Sequence, residues 1–225
     1  MAVNGLFKKY FVFDLDDTLV DARQFCGETI ARVVTKYFPT YDYDFIIHLH
    51  EVYRGASIPV LYKTILKELK VNVRTIDKNM DKMLADDAEI QIAECDRINI
   101  FDGVIEILEF LKSKNKELHV CTNRPLKTLG KVLDKNGLKN YFETIVSCAD
   151  EGFKKPDPKC YLDIINKLGG NKDDFIYFGD SEIDAAFAKN SGTDFIIFDQ
   201  YLNDKNLFKK LINMFLEEKI NNLRK

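Results

Sequence analysis

Three acidic residues and a threonine follow a short apolar run near the start of the chain. Asp14, Asp16, Asp17 and Thr18 come directly after residues 10–13, whose apolar side chains suit a strand buried on both faces. Carboxylates at the end of a buried strand repel one another, so a nearby cation must offset the repulsion or one carboxyl group must hold a proton. The segment therefore indicates a site, although an acidic turn before a helix explains the same residues.

Polar residues also follow later apolar runs of the chain. Thr122 and Asn123 follow one predicted strand, Asp180 and Asp184 follow another, and Lys155 lies in a loop after a third. Because strands alternate with helices beyond residue 97, we expect a parallel sheet, in which sites lie at the carboxyl ends of the strands. Acids, a hydroxyl group and an ammonium group are thus predicted to converge on one edge of the sheet.

Hydrophobic periodicity divides the chain into a sheet-forming part and a helical part. Apolar runs predict strands near residues 10–13, 118–121, 144–146, 175–178 and 195–198. The sequence therefore predicts an α/β fold, with a doubly wound parallel five-stranded Rossmann-like core sheet and an inserted all-helical cap domain. We place the core domain at residues 1–20 and 98–225 and the cap domain at residues 21–97, where it would cover the site.

Two of the predicted helices lie in the insertion and near residue 210. A polar-rich helix is expected from about Thr75 to Glu94, inside the cap domain. A final amphipathic helix is expected to carry Leu207, Leu211 and Phe215 on one face.

Composition narrows the class of protein. The 225 residues are 46% apolar, which supplies a sizeable core, and 33 basic against 36 acidic residues leave a formal net charge of -3. This balance gives no general attraction for nucleic acid or an anionic membrane. Five cysteines without a CxxC pair fit reduced thiols, and no stretch is long and apolar enough to cross a bilayer. We expect a cytoplasmic protein, a monomer or weak dimer, without nucleic-acid or membrane partners.

Four motifs in a fixed order carry a resemblance to a known family. They are D-x-D-x-T at residues 14–18, the strand-end Thr122, the Lys155-Pro156 loop, and G-D-x-x-x-D at residues 179–184. In this order they resemble the haloacid dehalogenase-like hydrolase superfamily. The helical insertion after the first motif resembles the subgroup that includes phosphoglycolate phosphatase and β-phosphoglucomutase.

The resemblance implies a phosphatase that works through an aspartyl-phosphate intermediate. Asp14 would be the nucleophile, because the acyl phosphate that it forms is readily hydrolysed. Asp16 would protonate the leaving alcohol and then activate water. Mg²⁺ would be held by the carboxylates of Asp14 and Asp180 and the backbone carbonyl of Asp16.

The remaining motif residues are implied to neutralise the phosphoryl group. Lys155, the Thr122 hydroxyl group and the Asn123 backbone N–H would bind the phosphate oxygens. Asp184 would not contact the phosphate directly and would act through Lys155. Taken singly, Thr122, Lys155 and Asp184 are better explained as a strand-end or capping hydroxyl group, a solvated lysine and an acid in the first turn of a helix. Their joint order favours a magnesium-dependent hydrolase of a small-molecule phosphate monoester.

Two alternatives stay open for the reaction. The first is a phosphosugar mutase of the β-phosphoglucomutase type, and the second is a non-catalytic protein that binds a phospho-ligand on the same scaffold. Dehalogenation is disfavoured, because dehalogenases of the superfamily lack the second carboxylate of the first motif, and Asp16 is present here.

Several further residues distinguish this chain. Arg54 and Ser57 lie on a Gly-containing turn of the insertion and are candidates for substrate specificity, although a helix end followed by an N-cap explains them equally well. Asp17 stands where many relatives have glycine, and Arg124 stands where lysine is frequent.

Overall fold

A five-stranded parallel sheet is the centre of the computed structural model, which describes residues 7–201 and 212–213. In chain order the strands are β1 (Tyr10–Phe13), β2 (Val20–Asp21), β3 (Asn99–Ile100), β4 (Glu117–Thr122), β5 (Thr144–Ser147), β6 (Phe175–Gly179) and β7 (Asp194–Ile197). The sheet has the order β5-β4-β1-β6-β7, and all of its neighbouring strands are parallel. The predicted α/β fold with a five-stranded parallel sheet is confirmed.

Eight α-helices accompany the strands within the described residues. They are α1 (Arg23–Tyr37), α2 (Tyr43–Tyr53), α3 (Ile58–Glu68), α4 (Val73–Ala93), α5 (Val104–Ser113), α6 (Leu126–Lys135), α7 (Lys159–Leu168) and α8 (Glu182–Ser191). The helix predicted from about residue 75 to residue 94 is α4, displaced by one or two residues at each end. The predicted final helix with Leu207, Leu211 and Phe215 lies outside the described residues.

The central strand β1 is buried on both faces, as its apolar run predicts. Phe11 and Phe13 point into one hydrophobic cluster with side chains of α5 and α6, while Tyr10 and Val12 point into another cluster with α7 and α8. Successive side chains of a strand point to opposite faces, so helices must cover both sides of the sheet. The helices on the two faces therefore bury β1, which is the central strand of the sheet.

Helices α1 to α4 form the insertion between β2 and β3, and we refer to residues 23–93 as the helical insertion. It has a hydrophobic cluster of its own, which includes Ile30, Val34, Tyr62, Ile65 and Met83, all at most 1% exposed. The helical character predicted for this part of the chain is confirmed. The division into a core domain and a cap domain at residues 20/21 and 97/98 remains a prediction.

A short antiparallel ribbon marks the point where the chain leaves and re-enters the sheet. Val20 pairs with Ile100, and Asp21 pairs with Asn99. We predicted no strand here, because two residues on each side are too few to show a period-2 pattern. The ribbon places the two ends of the helical insertion side by side.

All five cysteines are free thiols, in agreement with the expectation from their spacing. Among the described residues, no helix combines the length and the apolar character needed to span a membrane.

Candidate active site

The carboxyl ends of β1, β4 and β6 bring together the residues singled out by the motifs. Asp14 directly follows β1, and its backbone N–H donates to the Phe178 carbonyl oxygen at 2.8 Å, which extends the pairing with β6 by one residue. Carboxylate oxygens of Asp14, Asp180 and Asp184 lie within 4.8 Å of one another, and we refer to these three residues as the acidic cluster. All three side chains are buried, so the sheet edge concentrates negative charge where water cannot screen it.

A cavity of about 270 Å³ opens at this edge, between the sheet and the helical insertion. Seven of the residues predicted for the site line it: Asp14, Asp16, Arg54, Thr122, Asn123, Lys155 and Asp180. Asp184 lies behind Lys155, and Ser57 is buried without lining the cavity.

Lys155 is the cation at the centre of the cluster. Its Nζ lies 2.9 Å from Asp14 Oδ1, and it donates to Asp184 Oδ1 at 2.6 Å and to the Tyr177 hydroxyl group at 3.0 Å. Burial alone would lower the pKa of Lys155, but the two carboxylates outweigh burial and raise the pKa above its ordinary value. Lys155 is therefore a fixed ammonium ion that faces Asp14.

Asp184 is fully occupied by its neighbours. Oδ1 accepts from Lys155 and lies 3.2 Å from the Tyr177 hydroxyl group, while Oδ2 accepts from the Ser181 hydroxyl group at 2.5 Å and from the Ser181 backbone N–H at 3.2 Å. The last contact belongs to a capping box that begins α8. With both oxygens engaged, Asp184 is suited to hold Lys155 in place, and Asp14 and Asp180 have more capacity to bind a cation.

Gly179 makes room for Asp184, and its replacement by alanine is expected to be strongly destabilising. A Cβ atom at residue 179 would lie 2.4 Å from both Cβ and Cγ of Asp184, far inside van der Waals contact. We expect Gly179→Ala to lower the free energy of unfolding by about 2–3 kcal/mol and to displace Asp184 from Lys155. Chemical denaturation and a phosphatase assay would measure the two effects.

Gly130→Ala is the matched control for that substitution. Gly130 lies inside α6, and a Cβ atom there would meet nothing within 4 Å. Alanine in a helix interior is favoured over glycine by roughly 0.5–1 kcal/mol, so this variant should be at least as stable as the wild type. Equal stability of the two variants would contradict the role that we assign to Gly179.

Asp16 is held by a cation that the sequence motifs do not include. Arg124 Nε donates to both carboxylate oxygens of Asp16 at 2.9 Å, and Arg124 Nη2 lies 2.8 Å from Oδ1. The same guanidinium group donates to Gln91 Oε1 of α4 at 2.9 Å and to Cys26 Sγ of α1 at 3.6 Å. Arg124 thus connects the Asp16 carboxylate with two helices of the insertion, a role that sequence reasoning missed.

Asn123 joins two loops of the site through its side chain. Its Oδ1 accepts from the Lys155 backbone N–H at 2.9 Å, and its Nδ2 donates to the Gly55 carbonyl oxygen at 3.1 Å. We predicted a role only for its backbone N–H. The side chain fixes the Lys155 loop against the turn of the insertion that carries Arg54.

Arg54 extends from this turn into the acidic cluster. Its guanidinium group contacts Asp180 and donates to Asp199 Oδ2 at 3.1 Å. Arg23 contacts the same Asp199 carboxylate, since its Nη2 lies 3.6 Å from Asp199 Oδ1. The Arg23 guanidinium group also stacks on the Tyr201 ring at 3.7 Å. Sequence reasoning missed Asp199 and Arg23, although Asp199 follows β7 as Asp14 and Asp180 follow their strands.

Asp17 adopts a backbone conformation that glycine favours. Its φ is 60°, in the left-handed region, where aspartate is tolerated better than most residues. Its side chain accepts from the Ala22 backbone N–H at 3.3 Å and lies 3.5 Å from Arg23 Nε. The aspartate therefore keeps the turn and adds a buried negative charge beside the site.

The acidic cluster has the donor set of a divalent-cation site. Burial, together with repulsion from neighbouring carboxylates, raises the pKa of Asp14 to about 7 and that of Asp180 to about 8, although Lys155 and Arg54 act in the opposite direction. Hard divalent cations such as Mg²⁺ prefer carboxylate oxygens. A cation held between Asp14 and Asp180 would offset the repulsion that raises both pKa values.

Comparisons with known proteins agree with this geometry. A model of the family described as haloacid dehalogenase-like hydrolase matches residues 11–198. A phosphoglycolate phosphatase of Agrobacterium fabrum is 31% identical over 182 residues, which are 80% of this chain and 76% of that protein. A phosphorylated carbohydrates phosphatase of Thermotoga maritima is 28% identical over 181 residues, which are 80% of each chain.

The fold has counterparts among solved structures. A putative phosphoglycolate phosphatase from Lactobacillus delbrueckii subsp. bulgaricus superimposes with a TM-score of 0.72 at 19% identity, over 84% of this chain and 85% of that one. At this level of identity the similarity shows the arrangement of strands and helices.

Proposed function

Because the chain belongs to the haloacid dehalogenase-like hydrolase family, we propose that it is a magnesium-dependent phosphatase that hydrolyses a small-molecule phosphate monoester. One observation carries the proposal: the Asp14 carboxylate lines the cavity, 2.9 Å from the buried Lys155 ammonium group and close to the Asp180 carboxylate. A nucleophile, a fixed cation and a second carboxylate for a metal ion are the parts that phosphoryl transfer needs. The phosphatase relatives from Agrobacterium fabrum and Thermotoga maritima support the same reaction class.

In the first step an oxygen of Asp14 attacks the phosphorus atom of the ester. The bond between phosphorus and the leaving oxygen breaks, and Asp16 delivers a proton to that oxygen, so that an alcohol leaves and an aspartyl-phosphate remains. Lys155, the Thr122 hydroxyl group and the Asn123 backbone N–H neutralise the charge on the phosphoryl oxygens. Asp184 acts as a positioning residue, because it holds the Lys155 ammonium group.

In the second step Asp16 removes a proton from water, which attacks the phosphorus atom and releases inorganic phosphate and Asp14. Arg124 fixes the Asp16 carboxylate through hydrogen bonds to both of its oxygens. Mg²⁺, when held by Asp14, Asp180 and the backbone carbonyl of Asp16, supplies charge to bind and polarise the phosphoryl group. Residues 21–97 act as a cap domain that limits access of water, with Arg54 at its inner surface.

The proposed reaction is tested by release of p-nitrophenol from p-nitrophenyl phosphate. We expect turnover with Mg²⁺ and its loss when EDTA removes the metal ion. A panel of phosphate esters, including phosphoglycolate, sugar phosphates and nucleotides, extends the assay to candidate natural substrates. If neither p-nitrophenyl phosphate nor any ester of the panel is hydrolysed, the proposed function is wrong.

Mg²⁺ is expected to stabilise the protein more at pH 8 than at pH 5. In the metal-free protein, the pKa values of Asp14 and Asp17 are raised to about 7 and that of Asp180 to about 8, chiefly by burial, against about 4 in an unfolded chain. A carboxyl group whose pKa is higher in the folded state takes up a proton on folding. The contribution of these three groups to stability is therefore greatest below about pH 4 and is lost as the pH rises to about 8.

A bound divalent cation offsets these charges, so its stabilising effect should grow over the same interval of pH. We expect Mg²⁺ to raise the melting temperature by about 5 °C near pH 8 and by much less near pH 5. Differential scanning calorimetry with Mg²⁺ or EDTA measures the difference. An equal increase at both pH values would contradict a site built from these carboxylates.

A further inference from the structure

One face of α4 lines part of the cavity, away from the carboxylates of Asp14 and Asp180 that are proposed to act on the phosphoryl group. Leu84, Asp87, Ala88 and Gln91 recur at helical spacing and all line the cavity, opposite Ile58 of α3. The cavity volume of about 270 Å³ lies just below the range of about 300–1,000 Å³ that is typical of ligand pockets, so it suits a small ligand. This part of the cavity is where the leaving group of a phosphate ester would lie.

Asp87 is a buried carboxylate in this otherwise largely apolar wall. It is 4% exposed, and its Oδ2 accepts from the Tyr62 hydroxyl group at 2.8 Å. Burial raises the pKa of Asp87 to about 6, although hydrogen bonds from Tyr62 and Gln91 and the charge of Arg124 act in the opposite direction. The carboxyl group is therefore mostly ionised at neutral pH.

The buried cationic side chains that line the cavity form ion pairs with carboxylates other than Asp87. Each contacts a carboxylate of the phosphoryl site: Arg124 contacts Asp16, Arg54 contacts Asp180, and Lys155 contacts Asp14. Lys127 also lines the cavity, but it is exposed to solvent. Within the part of the chain that the structure describes, Asp87 forms no ion pair, so no contacting cation neutralises its charge beside this part of the cavity.

From this arrangement we infer that Asp87 is the polar group of a subsite for an uncharged, hydroxyl-bearing leaving group and that Asp87 discriminates against leaving groups with a carboxylate. The inference rests on the proposed phosphatase function and specifies its substrate class. A hydroxyl group can donate to Asp87 while its carbon skeleton packs against Leu84, Ala88 and Ile58. A carboxylate in the same position would be repelled by Asp87 at a site of low dielectric.

Matched pairs of phosphate esters test this discrimination in the full-length protein with Mg²⁺. Glycerol 3-phosphate and 3-phosphoglycerate differ only in a CH₂OH group where the acid has a carboxylate, and glucitol 6-phosphate and 6-phosphogluconate repeat the comparison on a longer chain. The inhibition constant of each compound against hydrolysis of p-nitrophenyl phosphate measures its binding, whether or not it is itself hydrolysed. In at least one pair, we expect the alcohol to bind at least about tenfold more tightly than the acid.

Asp87→Asn assigns the discrimination to this residue. Asparagine keeps the size and an acceptor for Tyr62 but removes the charge, so the ratio of the two inhibition constants should fall to about threefold or less, mainly through tighter binding of the acid. Asp86→Asn is the matched control, because Asp86 is the adjacent residue but contacts Lys36 and Tyr37 at 2.7 and 2.9 Å. Its ratio should equal that of the wild type.

The possible results separate this inference from the proposed function. If the wild type hydrolyses p-nitrophenyl phosphate but binds acid and alcohol equally in both pairs, the inference is wrong and the phosphatase function stands. An unchanged ratio in a folded Asp87→Asn protein would also overturn the assignment to Asp87. If p-nitrophenyl phosphate and the ester panel are not hydrolysed at all, the proposed function itself fails. The wild-type comparison needs no variant, so it applies even if Asp87→Asn does not fold.

Discussion

Replacement of Asp14 by asparagine is expected to abolish phosphatase activity while leaving the fold intact. An amide cannot form the aspartyl-phosphate, so kcat should fall by at least about 10³-fold, as for other covalent nucleophiles. The variant should be no less stable than the wild type near pH 8, because burial, together with repulsion from neighbouring carboxylates, raises the pKa of Asp14 to about 7. Steady-state kinetics with p-nitrophenyl phosphate and thermal melts measure the two properties.

Asp163→Asn is the control for that experiment. Asp163 lies on α7, and its side chain is exposed beside Lys159. The control should keep the activity and the melting temperature of the wild type. Residual activity of Asp14→Asn above about 10% would remove Asp14 from its proposed role, since the asparagine amide cannot be the nucleophile and another group would have to be.

Replacement of Lys155 by methionine is expected to reduce both activity and stability. Methionine is of similar length but leaves the buried carboxylates of Asp14 and Asp184 without their shared cation. Removing one partner of a buried ion pair costs about 3–5 kcal/mol. Loss of a cation that contacts the phosphoryl group should lower kcat by about 10²–10³-fold.

The pH dependence of this variant distinguishes an electrostatic effect from a packing effect. Near pH 5 the carboxyl groups of the variant can take up protons, so the loss of stability should be smaller than near pH 8. Lys159→Met removes an exposed lysine that lies 3.4 Å from Asp163, and it should have little effect on either property. A stability loss that is the same at both pH values would indicate that Lys155 matters through packing alone.

Local sequence pattern was sufficient for the elements that position the site. The four residues of β1 are all apolar and all buried, and the polar residues Asp14, Thr122 and Asp180 end or directly follow buried strands, so the topology of a parallel sheet brings them together. The same topology places the loop of Lys155 at this edge, but the role of its side chain could be inferred only from the resemblance to a family, because a lysine in a loop has no periodic pattern that fixes where it points.

The contacts between the insertion and the sheet could not be predicted in the same way. Arg124 and Gln91 are 33 residues apart, and Arg54 and Asp199 are 145 residues apart, so no local spacing connects them. Each pair forms because the helical insertion packs over the strand ends, which is a property of the tertiary structure. The carboxylate of Asp199 could have been anticipated, because it follows β7, whereas its contact with Arg54 could not.

The ribbon of β2 and β3 makes the helical insertion a replaceable module. Both of its connections to the sheet meet in one pair of hydrogen-bonded strands, and the insertion has its own hydrophobic cluster. An exchange of the segment between residues 22 and 98 for the corresponding segment of a relative would therefore leave the order of the five sheet strands unchanged. Such chimaeras would exchange the α4 residues that line the cavity, including Asp87, while Asp14 stayed at the end of β1.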